Sequence, residues 1–380
     1  MNATKRNLSI IDAFIFRLVF KRRSIIRPNR SGKQIVSFMH VLLTGASGFL
    51  GGHIAEAFVQ HGHHVVGIVR QTSRTDFLQA LGVELVVSEL EDTARLGSAM
   101  RGVDVVIHAA AQVHTHGFWR DFVQTTVEGT RHVLEAAQQT QVHHFIQIST
   151  VGVYGFPPSC GGPPFTEANP YCHIHRWNYY SRAKIEAEKL VRDAQQSNLI
   201  TTTVIRPTWV YGPRDTTTLA RFVAALRTRR FKWIGNGDNR LSVVYVTDVT
   251  DAVVRAATAP RARGQIYNVA TDEISPTQRE FVTRICQLME LPLPEASVPY
   301  AIAYVLGFGG ECVAHLTRYR VCPSLTRLTV LLFGGNRRFS SEKIRAELGW
   351  RPIISFEEGI HQATAWHRNR PLTAEVEGGA

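Results

Sequence analysis

The fold is decided by the stretch Val41-Leu42-Leu43-Thr44-Gly45-Ala46-Ser47-Gly48-Phe49-Leu50-Gly51-Gly52, near the start of this 380-residue chain. An apolar run, a glycine-rich turn and a segment of helical period follow one another there, with glycines at 45, 48 and 51. This spacing lets the chain turn tightly, lets the backbone approach a pyrophosphate and directs a helix N-terminus at its negative charge. Because a strand precedes the turn and a helix follows it, the pattern predicts a dinucleotide-binding unit.

Further apolar, β-branched runs follow the turn, and longer segments of helical period separate them. We predict helices that include 50–60 and 123–139, and strands at 41–44, 64–69, 83–87, 104–108, 144–148 and 202–205. Strands of this kind, joined by helical crossovers, indicate a parallel sheet covered on both faces. The predicted fold class is α/β, a Rossmann-type doubly wound parallel sheet with a smaller C-terminal substrate-binding domain.

The looser pattern after Arg206 sets the predicted domain boundaries. Residues 39–206 are predicted to form the dinucleotide-binding domain, and residues 207–370 a substrate-binding region that interleaves with that core. A basic N-terminal extension, 1–38, precedes them, and a C-terminal tail, 371–380, follows.

The net charge of +12 is concentrated at the N-terminus, because residues 1–38 hold nine basic side chains and one acid. The body is only mildly basic, so we predict no nucleic-acid partner, which would need a basic stripe on the folded part. Apolar residues at helical spacing in 8–23, with Lys21, Arg22 and Arg23 after them, leave two interpretations of residues 8–33. One is an interfacial helix on anionic lipid, and the other is a mobile tail or a start codon placed upstream of Met39.

Two further observations bear on the cellular compartment. The apolar stretch 8–20 is too short and too charged to span a bilayer. Five scattered cysteines with no C-x-x-C spacing fit a reducing compartment. The predicted location is the cytoplasm, with peripheral contact at the membrane surface if residues 8–33 form an interfacial helix.

Arg70 directly follows the second predicted strand, which ends at Val69. Dinucleotide folds that prefer NAD usually place an acidic residue there, on the adenosine ribose. A guanidinium group pairs instead with a 2′-phosphate, and Arg74 offers a second contact. The sequence therefore favours NADP over NAD, the alternative being that Arg70 is a solvated surface side chain.

The segment Tyr180-Ser181-Arg182-Ala183-Lys184 begins a pattern of helical period. Its four-residue spacing places the phenol and the ammonium group on one helix face. A neighbouring cation is expected to lower the phenol pKa, so that Tyr180 exchanges a proton with a substrate oxygen while hydride moves at carbon. Tyr179 is the alternative in register, but it would point about 100° away from that face.

From about Met39 to Trp366 the chain resembles the extended short-chain dehydrogenase/reductase superfamily, the NAD-dependent epimerase/dehydratase type. The resemblance rests on the glycine turn and on co-linear segments that include Val106-Ile107-His108-Ala109-Ala110, Ile148-Ser149-Thr150-Val151-Gly152-Val153-Tyr154-Gly155, Arg206-Pro207, Tyr245-Val246-Thr247-Asp248-Val249 and Leu348-Gly349-Trp350-Arg351-Pro352. It implies Thr150 as a hydrogen-bond donor to the reacting oxygen, Tyr180 as acid/base, and Lys184 as the residue that holds the ribose and tunes the phenol. It also implies a homodimer formed through two paired helices.

The predicted cofactor contacts combine the turn with these segments: Gly45, Ser47, Gly48, Phe49, Leu50, Gly51, Arg70, His108, Ala109, Ala110, Tyr180, Lys184 and Pro207. One position departs from the family pattern, since Thr126 stands where the family usually has asparagine. This difference puts in doubt a proton-relay role at that position.

Two branches of the superfamily compete for the substrate. The segment 237–244 lacks the usual pattern of sugar-nucleotide enzymes, whereas the apolar segment 299–310 and the segment 323–330 are similar to the 3β-hydroxysteroid and sterol dehydrogenase branch. We therefore predict an NAD(P)-dependent oxidoreductase acting on a hydroxyl or ketone of a hydrophobic, steroid-like or long-chain substrate. The alternatives are a sugar-nucleotide epimerase or dehydratase and a non-catalytic dinucleotide sensor. Segment 299–310 could also be a core helix of the second domain.

The loop ahead of Tyr180 contains Cys160, Cys172, His173 and His175. Their spacing matches no usual zinc arrangement, so no metal site is predicted. Glu167 lies in the same loop and is a weaker site candidate.

Overall fold

The computed structural model describes residues 38–155, 162–271 and 275–368. The strands are β1 His40–Thr44, β2 His64–Val69, β3 Glu84–Val87, β4 Val105–His108, β5 His144–Ile148, β6 Thr202–Pro207, β7 Trp209–Tyr211, β8 Trp233–Ile234, β9 Val243–Tyr245, β10 Ile266–Val269 and β11 Ser297–Val298. The α-helices are α1 Phe49–Gln60, α2 Asp76–Ala80, α3 Thr93–Ala99, α4 Trp119–Phe122, α5 Gly129–Gln139, α6 Tyr179–Gln196, α7 Thr218–Arg227, α8 Val246–Thr258, α9 Gln278–Met289, α10 Tyr300–Leu316, α11 Arg327–Gly334, α12 Glu342–Leu348 and α13 Phe356–Arg368.

Seven parallel strands form the central sheet, in the order β10-β6-β5-β4-β1-β2-β3. The chain order reverses between β1 and β4, where Thr44 lies beside His108. In sheets of this type, ligands bind outside the carboxyl ends of the strands at such a reversal. The predicted doubly wound α/β fold is confirmed. Strand β10, from the second half of the chain, pairs with β6 at the edge of this sheet.

Alternating side chains of β1 supply both halves of the core. Leu43 belongs to a buried cluster with Ile54 of α1 and Val253 of α8. Leu42 points the other way, into a cluster that includes Leu96 of α3, Leu134 of α5 and Val191 of α6. Strand residues that are buried on both faces are what a parallel sheet between two helical layers requires.

The predicted helix over 123–139 is interrupted in the structure. A π-helical turn, Val123–Glu128, separates α4 from α5. Within it, the carbonyl of Thr126 accepts a hydrogen bond from the Thr130 hydroxyl at 2.6 Å, and the Thr126 hydroxyl accepts one from the Gln112 N–H at 3.0 Å. A π turn is a local widening that often occurs at functional sites, and a 3.6-residue pattern does not reveal it.

The C-terminal part has its own aromatic cluster, against which Phe49 and Leu50 of α1 pack; the cluster includes Tyr211, Phe222, Trp233, Phe281 and Phe333. Helix α10 of this part is not a core helix, contrary to one interpretation of the sequence. Ala303, Gly307 and Ala314 are its buried residues, whereas its large apolar side chains are mostly exposed. No helix in the described part of the chain combines the length and the apolar character that a membrane crossing needs.

Candidate active site

The glycine-rich turn closes tightly between β1 and α1. The N–H of Gly48 donates to the carbonyl of Gly45 at 3.0 Å. Gly45 has φ of +69°, and a Cβ there would lie 2.8 Å from the backbone nitrogen of Ala110. A Cβ at Gly51 would overlap the Gly45 carbonyl oxygen. These two positions therefore require glycine, because any side chain would force the turn apart.

The N-terminus of α1 fits the pyrophosphate of a dinucleotide. Gly48 is the N-cap, and no side chain caps this end of the helix. Ser47 and Gly48 are exposed there, whereas Phe49 and Leu50 are half-buried against the core. First-turn N–H groups without a side-chain cap are natural partners for a phosphate group, so the residues present fit the predicted cofactor.

A loop rich in hydroxyl and guanidinium groups lies beside the turn. Ser73 accepts a hydrogen bond from the N–H of Arg70 at 3.0 Å and one from the Ser47 hydroxyl at 3.2 Å. The side chains of Arg70 and Arg74 are exposed. Through Ser73, the loop that follows β2 is hydrogen-bonded to the glycine turn, and this loop contains both Arg70 and Arg74.

The ring of His108 is enclosed by protein groups on both sides. The ring is fully buried, with Nδ1 2.7 Å from the Thr44 hydroxyl and Nε2 3.0 Å from the Thr130 hydroxyl. Burial lowers the His108 pKa to about 3, and the nearby charge of Lys184 acts in the same direction. The neutral ring therefore fastens β4 to β1 and α5, and the two residues that follow it, Ala109 and Ala110, are half-buried.

Thr150, Tyr180 and Lys184 come together at the carboxyl end of β5. Thr150 follows this strand, and its side chain interacts with the phenol of Tyr180. Asn178 caps α6 by accepting the N–H of Ser181 at 3.1 Å, which fixes the helix that carries Tyr180 and Lys184. The ammonium group of Lys184 donates to the carbonyl of Ile148, the last residue of β5, at 2.9 Å.

The two neighbouring tyrosines have different surroundings. The ring of Tyr179 packs against Trp119 at 5.7 Å and Phe122 at 6.0 Å between centroids. The phenol of Tyr180, by contrast, has the Thr150 side chain as its neighbour. The structure therefore places the phenol of Tyr180, and not that of Tyr179, beside the strand end.

Electrostatics in this site differ from the sequence-based expectation. Burial raises the pKa of Tyr180, and the hydrogen bond with Thr150 only partly opposes this. Burial lowers the pKa of Lys184 to about 8, although the charge of Glu188 acts against the shift. The expected lowering of the phenol pKa by Lys184 is not seen, because the ammonium group is bonded to a backbone carbonyl and burial dominates.

A buried polar network under Thr150 was not predicted. Arg206 pairs with Glu188 through two nitrogens, one at 3.1 Å, and its third nitrogen donates to the Tyr154 hydroxyl at 2.6 Å. The Ser149 hydroxyl donates to Glu188 at 2.6 Å, and Tyr154 donates to Asn268 at 2.9 Å. Glu188 stands one helical turn after Lys184, and this spacing is the signal that could have identified it.

Pro207 and Glu167, two further predicted residues, contact other parts of the protein. Pro207 is buried at the end of β6, on the same edge of the sheet as Thr150. The carboxylate of Glu167 accepts the N–H of Asn268 at 2.6 Å, and burial raises its pKa. Glu167 thus holds its loop against β10.

Of the histidines and cysteines ahead of α6, Cys172, His173 and His175 lie in the described part of the chain. His173 and His175 are exposed, and the ring of His175 stacks on Trp177 at 5.6 Å. Cys160 lies outside the described residues. Within the described ranges, the structure brings together no group of three or more metal-binding side chains.

The chain is similar in sequence to known reductases and dehydrogenases. It is 28% identical over 324 residues to a 4-hydroxy-2-methyl-3-oxo-4-farnesyl-3,4-dihydroquinoline-1-oxide ketoreductase of Stigmatella aurantiaca, covering 85% of this chain and 95% of that protein. It is 28% identical to a sterol-4-alpha-carboxylate 3-dehydrogenase, decarboxylating, of Dictyostelium discoideum, covering 85% of this chain and 99% of the relative.

A solved structure supports the same placement. The UDP-glucose 4-epimerase of Thermus thermophilus, in complex with NAD, is 25% identical with a TM-score of 0.67, covering 88% of this chain and 100% of that one. Residues 41–270 match the family described as NAD dependent epimerase/dehydratase, and this range contains the glycine turn and the cluster of Thr150, Tyr180 and Lys184. The chain belongs to the NAD dependent epimerase/dehydratase family.

Proposed function

We propose that this enzyme transfers a hydride between NADP(H) and the carbinol or carbonyl carbon of a hydrophobic substrate, with Thr150, Tyr180 and Lys184 as the acting residues. The observation that carries the proposal is the convergence of three side chains after β5: Thr150 interacts with the phenol of Tyr180, and the Lys184 ammonium group donates to the Ile148 carbonyl. These groups stand at the end of β5, which pairs with β4 beside the reversal of the sheet.

When bound, the dinucleotide supplies or accepts the hydride. Thr150 orients the substrate oxygen by hydrogen bonding. Tyr180 donates its phenolic proton to that oxygen during reduction, and its raised pKa keeps the proton in place at neutral pH. Lys184, whose ammonium group donates to the Ile148 carbonyl, would hold a ribose hydroxyl of the bound dinucleotide. At neutral pH the phenol is therefore in the protonated form that reduction of a ketone requires.

Two exposed arginines support NADP as the cofactor. Arg70 and Arg74 flank Ser73, which is bonded to both the glycine turn and the end of β2. A guanidinium pair beside hydroxyl groups matches the charge and the geometry of a 2′-phosphate. None of these side chains is acidic, whereas a carboxylate would be needed to favour an unmodified ribose.

Aromatic side chains support a hydrophobic substrate. The rings of Phe118 and Tyr319 are 4.9 Å apart, and those of Trp177 and Tyr304 are 6.3 Å apart. Phe118 lies just before α4, and Trp177 lies just before α6. The two ring pairs therefore connect these loops to α10 and to the residues that follow it. Apolar and aromatic walls with a few polar groups are typical of sites for apolar ligands. The names of the two relatives, a farnesyl-quinoline ketoreductase and a sterol dehydrogenase, agree with this class.

The test is consumption of NADPH and NADH by the purified protein with long-chain, steroid and sugar-nucleotide carbonyls. We expect net consumption of NADPH with a hydrophobic ketone. The Tyr180→Phe variant should lose about a hundredfold or more in kcat while it still binds the dinucleotide. Tyr179→Phe removes the same hydroxyl from the neighbouring ring and should keep most activity. Equal activity of Tyr180→Phe and the parent enzyme would refute the role of Tyr180.

A further inference from the structure

The outer face of helix α10 is an apolar surface in a region of concentrated positive charge. We infer that this face docks on the surface of an anionic lipid bilayer. The face consists of Ile302, Val305, Leu306, Gly309, Val313 and Leu316. The inference does not depend on the reaction proposed above, because docking and turnover are measured separately.

Exposed apolar side chains are concentrated on this helix. Sixteen large hydrophobic residues are exposed in the described part of the chain, and eight of them lie between 300 and 321. Val305 is 65% exposed and Leu316 is 83% exposed. Single exposed apolar residues need no explanation, but a contiguous group marks an interaction surface.

The exposed residues form one stripe along a firmly packed helix. Their spacing of three or four positions places them on one face of α10. The opposite face is buried through Ala303, Gly307 and Ala314. A Cβ at Gly307 would lie 2.9 Å from the backbone nitrogen of Arg327, so the helix packs closely against the start of α11. The stripe is therefore held rigidly outward, with no covering element among the described residues.

Positive charge is concentrated in the same segment. Residues 296–339 contain five arginines and one acid, Glu311, whereas the rest of the chain after residue 38 contains 29 basic and 29 acidic residues. Glu311 is bonded to Arg327 at 2.6 Å. Arg318 and Arg320, directly after the helix, are exposed. The net charge of +4 on residues 39–380 therefore equals the net charge of residues 296–339.

This charge decides between the candidate partners. A second copy that covered the same face would bring two positively charged segments together. The chain's own N-terminal extension, with nine basic residues and one acid in 1–38, has the same sign. An anionic bilayer complements the charge, and its interface also takes up an apolar helix face.

The docking face is connected to the candidate active site. Tyr304, on the inner side of α10, contacts Trp177, three residues before Tyr180. Tyr319, just after the helix, contacts Phe118 in the loop after β4. A protein docked through α10 would present these aromatic loops toward the bilayer, where a long-chain or sterol-like substrate resides.

The first experiment is sedimentation of the full-length chain with vesicles of phosphatidylcholine, alone or with about a third phosphatidylglycerol. We expect binding to the anionic vesicles only, weakened by salt. Leu306→Glu with Leu316→Glu, and separately Arg318→Glu with Arg320→Glu, should each weaken binding about tenfold or more.

Matched controls use the same substitutions outside the segment. Leu199 and Ile353 are exposed apolar residues, and Arg229 and Arg230 are exposed arginines. Changing either pair to glutamate should weaken binding less than threefold, by roughly the effect of the net charge alone. Equal losses in the controls and in the α10 variants would overturn the inference, because binding would then follow net charge and not this face.

A local probe separates docking by α10 from binding by the basic N-terminal extension. Cys312 is exposed on α10. An environment-sensitive dye on Cys312, with Cys160, Cys172 and Cys322 replaced by serine, should be quenched by vesicles whose acyl chains carry bromine. Co-sedimentation without quenching would show that only the extension binds, and would overturn the inference.

Two further measurements complete the test. Light scattering without lipid should give the same oligomeric state for the parent chain and for the Leu306→Glu, Leu316→Glu variant. A shift to a smaller species would instead assign the face to a contact between copies and overturn lipid docking. Turnover of a water-soluble ketone without vesicles should be unchanged in these variants, so a failure of docking is read independently of the proposed reaction.

Discussion

Lys184 is a buried amine whose charge depends on pH near neutrality. Burial lowers its pKa to about 8, so it is mostly protonated at pH 7 and loses its proton as the pH rises through 8. The neutral amine keeps a hydrogen bond to the Ile148 carbonyl but loses its attraction for a ribose oxygen or a phenolate.

The pH dependence of reduction follows from this shift. We expect kcat/KM for a ketone to be level below about pH 7 and to fall by up to about tenfold per pH unit above about pH 8. Steady-state rates from pH 6 to 10 measure the profile. Lys184→Met should be slow at all pH values and should lack the break. A parent profile that stays level to pH 10 would contradict the role of Lys184.

Arg70 and Arg74 should determine cofactor choice. Replacing both with serine removes two positive charges beside the proposed 2′-phosphate position. We expect the KM for NADPH to rise about tenfold or more and the KM for NADH to change less than threefold. Arg95, an exposed arginine on α3, is the control, and Arg95→Ser should leave both values unchanged. Equal increases for the two dinucleotides would exclude recognition of the phosphate.

At the scale of elements, the junction of β1 and α1 contains two adjacent glycines, Gly51 and Gly52, which differ in whether the structure has room for a side chain. A Cβ at Gly51 would overlap the Gly45 carbonyl, whereas a Cβ at Gly52 would lie 3.6 Å from the Ala46 oxygen, an ordinary contact. Gly51→Ala should therefore open the turn and destabilise the fold by about 1–3 kcal/mol. Gly52→Ala should be neutral, or stabilise α1 by up to about 1 kcal/mol.

Thermal unfolding and dinucleotide binding, measured on Gly51→Ala and on Gly52→Ala, test this predicted difference. Loss of binding in Gly51→Ala together with retention in Gly52→Ala is the expected result. If both variants bind alike, the turn does not need the close approach that the structure shows.

The strands were predictable from the sequence because buried parallel strands are short, apolar and separated by helices. Of the six predicted strands, β2 and β5 have the predicted bounds and the other four differ by one or two residues. Strand β10 of the central sheet and the short strands β7, β8, β9 and β11 were not predicted. The helix over 123–139 was predicted less well. Its apolar period continues through the π turn at Val123–Glu128, which depends on a tertiary contact between Thr126 and Gln112. A local pattern does not contain such a contact.

The site was predictable in part. The spacing of the glycines, Thr150, Tyr180 and Lys184 along the chain matches the family pattern, so the sequence identified them as candidates. Their roles are proposals. The closed environment of His108 and the raised pKa of Tyr180 depend on burial in the assembled sheet. Sequence spacing does not report burial, which is why the expected lowering of the Tyr180 pKa had to be revised.

At the scale of the whole molecule, Glu188 and Arg206 join α6 and β6, and the network extends to β10. Both side chains are buried, so removing one partner leaves an uncompensated charge. Arg206→Met should lower the free energy of unfolding by about 3–5 kcal/mol, whereas Glu188→Gln combined with Arg206→Met should recover part of that loss. Urea denaturation of the single and double variants measures the difference. An additive double variant would contradict a direct pairing.

The most direct test of hydride transfer uses NADPH that carries deuterium at both hydrogens of nicotinamide C4, with a long-chain ketone as the substrate. We predict one deuterium on the carbinol carbon of the product for each dinucleotide consumed, and almost none with Tyr180→Phe. Product formed without net consumption of the dinucleotide, or equal transfer by Tyr180→Phe, would contradict this mechanism.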